Sequence, residues 1–400
     1  MLDISKPLTS AKISSYYREE YSSASNSYFS QGGTLRGEWH GQLAAELGLA
    51  GDVTPAAFDR LAEGQHPETG EQLIRHRDTI RTQAGEEVGH RAGWDLTFNA
   101  PKTVSLTALV GQDERVRLAH QSAVRAALDE TEKYVQARMG GVNPAENSGK
   151  WIAATFQHDT ARPVDGYPAP HLHTHVVVFN MTEDHTGQAR ALQPYELFRI
   201  QSMATAVYQN QLEAQLRQLG YQIERGVNHA PDIKGYSPDY LASESLRAAR
   251  IKQAMEEHGG VGREFESLLK HQNRDQKLKL SPDELRDLHR RHAAEFGSQP
   301  SRVAAEAAER HVRPAAPEKT EEKARAAVRF ARSRLSERNA VFEHFEVIRD
   351  ALRHTQGRAG PGDIYRELAR QKEEGQFVEV RHVRPTCGPT HRCTATRHRN

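Results

Sequence analysis

Two short apolar-rich segments, residues 151–157 and 173–181, lie so close together in the sequence that one pairing is open to them. Parallel neighbours need a crossover of roughly a dozen residues or more, normally a helix, and the polar, Pro-rich stretch between the segments cannot supply one. They are therefore predicted to pair as antiparallel strands. The second is entered by Pro170-His171-Leu172-His173-Thr174-His175 and continues as Val176-Val177-Val178-Phe179. Side chains alternate along a strand, so His171, His173 and His175 point the same way.

Neutral imidazole is the commonest protein ligand for borderline divalent ions. Strand residues i and i+2 are about 6.6 Å apart and i and i+4 about 13 Å. With metal–nitrogen bonds of about 2 Å, His173 and His175 can share an ion, whereas adding His171 strains the set. His158, at the end of the first strand, is well placed to complete the site from across the hairpin. The chain has 21 histidines, and composition accounts for most of them. A row of solvated histidines is the competing reading here; two at strand spacing with a third opposite favour a metal. Three histidines without cysteine leave coordination positions open for a substrate oxygen. The cofactor expected is a divalent ion, Mg, Mn or Zn. Residues 94–98 also alternate, with Trp94, Leu96 and Phe98 on one face and Asp95 and Thr97 on the other. Asp95 could accept a hydrogen bond from the second nitrogen of a ligating histidine; otherwise such a carboxylate is simply solvated.

Tyr16, Tyr17, Tyr21 and Tyr28 crowd the first thirty residues. The Tyr16-Tyr17 pair, on a short helix capped by Thr9 or Ser10, reads either as a buried aromatic anchor or as a nucleophile. A phenol of ordinary pKa, about 10, needs a nearby cation or base to attack. Beside a metal that orients a phosphate, tyrosine makes a recipe for phosphodiester transesterification.

A helix is predicted over 113–139, with Val116, Val124, Leu128, Thr131 and Val135 as its stripe and Gly140-Gly141 as its stop. The fold class expected is α+β: an antiparallel sheet flanked by helices to about residue 235, then a charged helical lobe over 236–300. Residues 301–335, with Arg313-Pro314-Ala315-Ala316-Pro317, read as a linker. Residues 336–380 read as helices 337–354 and 363–374 followed by a strand at 377–380, an order compatible with a winged-helix piece. Residues 381–400 hold five Arg, three His, both cysteines and no Asp or Glu, and read as a disordered tail. Cys387, His391 and Cys393 have poor spacing for zinc.

The net charge of +1 means that any nucleic-acid surface must come from local clustering. No P-loop motif occurs. Without a long apolar run or an apolar leader, a cytoplasmic protein with no membrane insertion is expected.

Together these blocks resemble the conjugative relaxases of the TrwC/TraI type, in the His-hydrophobe-His endonuclease superfamily. The matching stretches are Tyr16-Tyr17 with Tyr28, Trp39-His40-Gly41, Glu46-Leu47-Gly48-Leu49, the run from Gly93 to Leu106, His158 with Arg162, Leu172-His173-Thr174-His175, Asn180-Met181-Thr182 and Arg190-Ala191-Leu192. The resemblance implies that Tyr16 attacks first and Tyr28 serves a second strand transfer. It makes His158, His173 and His175 the metal ligands, supported by Asp95. It implies single-stranded DNA at an origin of transfer, with its hairpin, as substrate, and relaxosome accessory proteins and a coupling ATPase as partners. Lys102, Arg162 and Arg190 fall within the matched blocks without an obvious acidic partner in sequence, and are expected to contact DNA. The second tyrosine pair is reduced here to Tyr28-Phe29, and Leu43 stands where relatives commonly have Gly. Relatives continue into a helicase; residues 336–380 are expected to be its opening, and the tail to be out-of-frame or degenerate. A rolling-circle replication initiator shares the chemistry, and a non-catalytic DNA-binding repressor is the alternative of another class.

Overall fold

In the computed structural model the two adjacent segments do pair antiparallel, inside a five-stranded sheet. In chain order its strands are β1 (Leu2–Ile4), β2 (Glu38–His40), β3 (Gly93–Asn99), β4 (Ala153–Thr160) and β5 (Pro170–Phe179). Their spatial order is β1-β3-β5-β4-β2, and every neighbouring pair is antiparallel. The structure describes residues 1–18, 37–74, 80–81, 87–88, 90–141, 143–257, 280–310 and 317–378. Tyr21 and Tyr28 lie outside the described residues, as do Cys387, His391 and Cys393.

The sheet is covered on both faces, and the period-two alternation of its strands decides what goes where. Among the described residues six helices precede residue 220: α1 (Ser10–Tyr16), α2 (Gln42–Glu46), α3 (Pro55–Ala62), α4 (Lys102–Leu109), α5 (Glu114–Glu132) and α6 (Tyr195–Gln218). Trp94, Leu96, Phe98, Leu172, Val176 and Val178 face one way and share a core with α4, α5 and α6. Ile152, Ala154, Phe156, Val177 and Phe179 face the other way, toward α1 and α3. Helix α5 stops at Glu132, short of the expected Gly140-Gly141, because Gln136–Ala137 turns into a two-residue ladder with Glu146–Asn147.

After α6 comes a small hairpin, β6 (Ile223–Arg225) and β7 (Pro231–Ile233). The helical lobe follows as α7 (Pro238–Ser243), α8 (Leu246–Glu257) and α9 (Pro282–Glu295). Ser281 starts α9 with a capping box to Glu284 and Pro282 in the first turn, which satisfies the orphan amide donors there.

The expectation of a linker over 301–335 needs correction. Those residues fall largely in α10 (Gln299–Glu309) and α11 (Pro317–Ser336). Helices α12 (His344–Thr355) and α13 (Pro361–Glu373) complete the described chain. Ala324, Ala327, Val328, Ala331 and Leu335 of α11 sit in the same core as the sheet, as do Ile348 and Leu352 of α12. A stripe spaced three and four residues apart buries a helix however charged its other faces are. The expected strand at 377–380 is not formed at Phe377 and Val378, and its remainder lies outside the described residues. Among the described residues no helix is long and apolar enough to cross a membrane.

Candidate active site

The register of the central strands builds a histidine triangle. His158 on β4 stands directly opposite His173 on β5. Across the other edge of β5, Thr97 pairs with His175 and Asn99 with His173. Ring centroids of His158, His173 and His175 are 5.3 Å (158 to 173), 5.2 Å (158 to 175) and 5.1 Å (173 to 175) apart. The centre of such a near-equilateral triangle lies about 3 Å from each ring, close to a bond of about 2 Å plus half a ring. Among the described residues no group of three or more His, Cys, Asp or Glu side chains is arranged so as to hold a metal ion as it stands. The three rings nevertheless have the spacing and donor chemistry that fit a divalent ion.

Hydrogen bonds set which nitrogens are left for that ion. His175 donates from Nδ1 to Asp95 Oδ2 at 2.8 Å, with Thr97 Oγ1 also near at 3.3 Å. His173 donates from Nδ1 to the His171 carbonyl at 2.9 Å. In this tautomer Nε2 carries the lone pair in both rings. Burial and the neighbouring His175 push the His173 pKa down to about 3, which keeps the ring neutral and able to ligate. His171 is taken elsewhere: its Nε2 bonds to Asn99 Oδ1 at 3.0 Å, and its ring stacks on His173 at 4.7 Å.

The paired tyrosines separate. Thr9 caps α1 by accepting from the Lys12 amide. Gly93 lets the helix settle close to the sheet, since a Cβ there would collide with the Val178 carbonyl and crowd Ile13. Tyr17 is then turned inward, 6% exposed, stacked on Phe58 at 4.4 Å and edge-on to Phe156 at 5.7 Å. Its hydroxyl reaches the Val53 carbonyl at 3.4 Å, and burial pushes its pKa up, away from phenolate. Tyr17 was expected among the catalytic residues; the structure makes it the aromatic anchor. Tyr16 is half-buried at the border of the same cluster, on the sheet face that carries the histidines, with Lys12 Nζ 5.6 Å from its ring centre.

A family model described as TrwC relaxase matches residues 10–296. The chain belongs to the TrwC relaxase family. It is 32% identical over 273 residues to the multifunctional conjugation protein TraI of Escherichia coli, an alignment covering 65% of this chain and 14% of TraI. The TraI of Escherichia coli strain K12 is 32% identical over 235 residues, 56% of this chain and 12% of the relative. The chain thus corresponds to a small fraction of those proteins. Among solved structures, conjugative relaxase TrwC in complex with oriT DNA matches in its metal-free form with 31% identity and TM-score 0.62, over 74% of this chain and 99% of that one. Its metal-bound form matches with 30% identity and TM-score 0.62 over the same shares.

In this member of the TrwC relaxase family the basic residues expected on DNA have unequal surroundings. Arg190 does have an acidic partner: Nε donates to Asp184 Oδ2 at 2.8 Å, and Nη2 to Gln188. Sequence separation hid this, because a two-stranded ladder of Thr182–Glu183 with Ala189–Arg190 folds Asp184 back onto it. Lys102 donates from Nζ to the Pro170 carbonyl at 2.8 Å, and burial pushes its pKa down to about 8. It is a staple between α4 and the start of β5. Arg162 is half-buried in the loop after β4, next to the bulge that follows His158.

Sequence reasoning also missed what lies behind the site. Thr174, between His173 and His175 on β5, is buried on the opposite face. Its Oγ1 is 2.9 Å from His120 Nε2, and His120 Nδ1 is 2.8 Å from the Tyr208 hydroxyl. His120 is fully buried, and burial pushes its pKa to about 3. One signal was present: His120 falls in the apolar stripe of α5, four residues after Val116 and four before Val124.

Proposed function

We propose that the chain is a metal-dependent, site- and strand-specific DNA relaxase that nicks single-stranded or supercoiled origin-of-transfer DNA and rejoins it, initiating conjugative transfer. The observation that carries this reading is the triangle of His158, His173 and His175, backed by Asp95, on the sheet face against which the Tyr16 helix packs.

A divalent ion held by the three histidines would draw charge from a non-bridging phosphate oxygen and orient the ester. Asp95 and the His171 carbonyl hold the ligand rings in the tautomer that can ligate. Tyr16 Oη bonds to phosphorus as the P–O3′ bond breaks; its phenolic proton goes to solvent and the departing 3′ oxygen takes one up. The 5′ phosphate stays on Tyr16, so the bond energy is conserved and no ATP is needed. Attack by a 3′ hydroxyl reverses the step and rejoins the strand. Tyr28 would serve a second transfer, and Arg162, four residues after His158, is the basic residue we assign to a phosphate. Three imidazole donors favour a borderline ion such as Zn or Mn over Mg, which prefers oxygen donors. The family resemblance adds accessory proteins of the nicking complex and a coupling ATPase as partners, and the cytoplasm as the place of action.

The test is a single-stranded origin oligonucleotide labelled on its 3′ side. Incubation with a divalent ion should give a covalent protein–DNA adduct that maps to Tyr16, chelator should abolish it, and added metal should restore it. An adduct mapping to Tyr17, or none under any metal, overturns the assignment.

A further inference from the structure

Away from the histidine triangle, four arginines converge where the β6–β7 hairpin meets α11 and α12. Arg225 of β6 donates to the Arg353 carbonyl and lies 3.5 Å from His229 Nδ1. Arg349 and Arg353 are one turn apart on α12, and Arg334 approaches from α11. Asp350, 2% exposed, has Arg349 Nε at 2.7 Å and Arg334 Nη1 at 4.0 Å, so one carboxylate faces several cations. Arg353 Nε is buried and meets no hydrogen-bond acceptor among the described residues. Burial first, then the guanidiniums of Arg349, Arg334 and Arg225, push the Arg353 pKa below its ordinary value. Exposed basic residues normally spread over a solvated surface. These are gathered, with more positive charge than the local carboxylate can balance.

An aromatic platform adjoins them. Phe330 is 42% exposed, and its ring stacks on the exposed His354 at 4.3 Å and 22°. Phe330 and Arg334 are one turn apart on α11, which sets a ring and a guanidinium side by side. Guanidinium forks suit phosphate oxygens, and flat exposed rings take unpaired bases, whose faces a duplex hides. Helices α11 and α12 lie beyond residue 296, where the family match ends.

We propose that this surface is a second single-stranded DNA site, in which Arg225, Arg334 and Arg353 hold phosphates and the Phe330–His354 pair stacks a base. The occupant is the unpaired strand next to the nick, so the proposal rests on the relaxase reading.

The full chain, its Arg225→Ala/Arg334→Ala variant and its Phe330→Ala variant are compared with two probes. One is a short origin oligonucleotide, scored by nicking. The other is a non-origin oligothymidylate carrying 5-iododeoxyuridine, scored by anisotropy against salt and by photocrosslinking. Nicking of the short probe should match wild type in both variants. Oligothymidylate binding should fall about tenfold in the double variant, with a log–log salt slope smaller by roughly 1.4, about 0.7 for each phosphate that is no longer neutralised. Wild-type crosslinks should include a peptide containing Phe330 or His354. Phe330→Ala, an exposed change, guards against misfolding of the double variant: it should lose that crosslink while melting as wild type does. Crosslinks confined to residues before 300, or wild-type affinity and slope in both variants, overturn the site. Equal losses on duplex DNA or RNA also overturn it, as they would mark a general polyanion surface. Failure of wild type to nick would sink the relaxase reading instead, while leaving the crosslink result to be read independently.

Discussion

The ligand role proposed for His173 and His175 rests on what their other nitrogens touch. The Asp95–His175 bond is ionic on one side, and an outer partner of this kind typically tunes metal affinity by about 10–100-fold. Asp95→Asn should therefore weaken metal binding by about that range in titration calorimetry; unchanged affinity would reduce Asp95 to a bystander. His171→Ala should be mild by the same assay, because its ring is engaged with Asn99. The two neighbouring tyrosines make a sharper contrast. Tyr16→Phe should keep the melting temperature and lose cleavage by orders of magnitude. Tyr17→Phe should keep both, and Tyr17→Ala should lose about 3–5 kcal/mol of stability, as truncation of a buried aromatic does. Full adduct yield from Tyr16→Phe would move the nucleophile elsewhere.

The β4–β5 hairpin was legible because short connections and period-two alternation leave little choice, and the same alternation put Asp95 on the histidine face. Helix α11 was not legible as a packed helix: its Pro-rich lead and high charge resemble a linker, and the stripe from Ala324 to Leu335 gains meaning only once α12 is present to receive it. Tyr17 pointed inward for a similar reason, since Phe58 and Phe156 come from distant segments. Lys102 looked like a surface cation and is a staple, a difference that only burial reveals. Its folded pKa of about 8 lies below the ordinary 10.5. Between these values the unfolded chain holds the proton more often, so this group's contribution to stability rises with pH across that window. Glu244 opposes the shift, and His171 and His289 sense the same charge. Lys102→Met removes the titration. The melting temperature of wild type relative to this variant should climb from about pH 8 to about pH 10; a flat difference would show that the ammonium is solvated.

The core that holds the sheet continues into helices beyond the family match. Asn210 on α6 donates to the Leu352 carbonyl at 3.2 Å and to Thr355 Oγ1 at 2.7 Å, both buried. Ending the chain after Glu309 would strand that amide, at about 1–3 kcal/mol, and uncover the apolar side of α6. Such a shortened chain should melt several degrees lower by calorimetry and bind apolar dyes; an unchanged melting temperature would make α11–α13 an independent appendage. Helix α6 has the sheet on one side and α12 on the other, so the boundary of sequence similarity does not mark a boundary of cooperativity. Amide hydrogens of α12 should consequently exchange more slowly when an ion is added to the distant histidines, because whatever binds the native state alone slows every opening that passes through global unfolding.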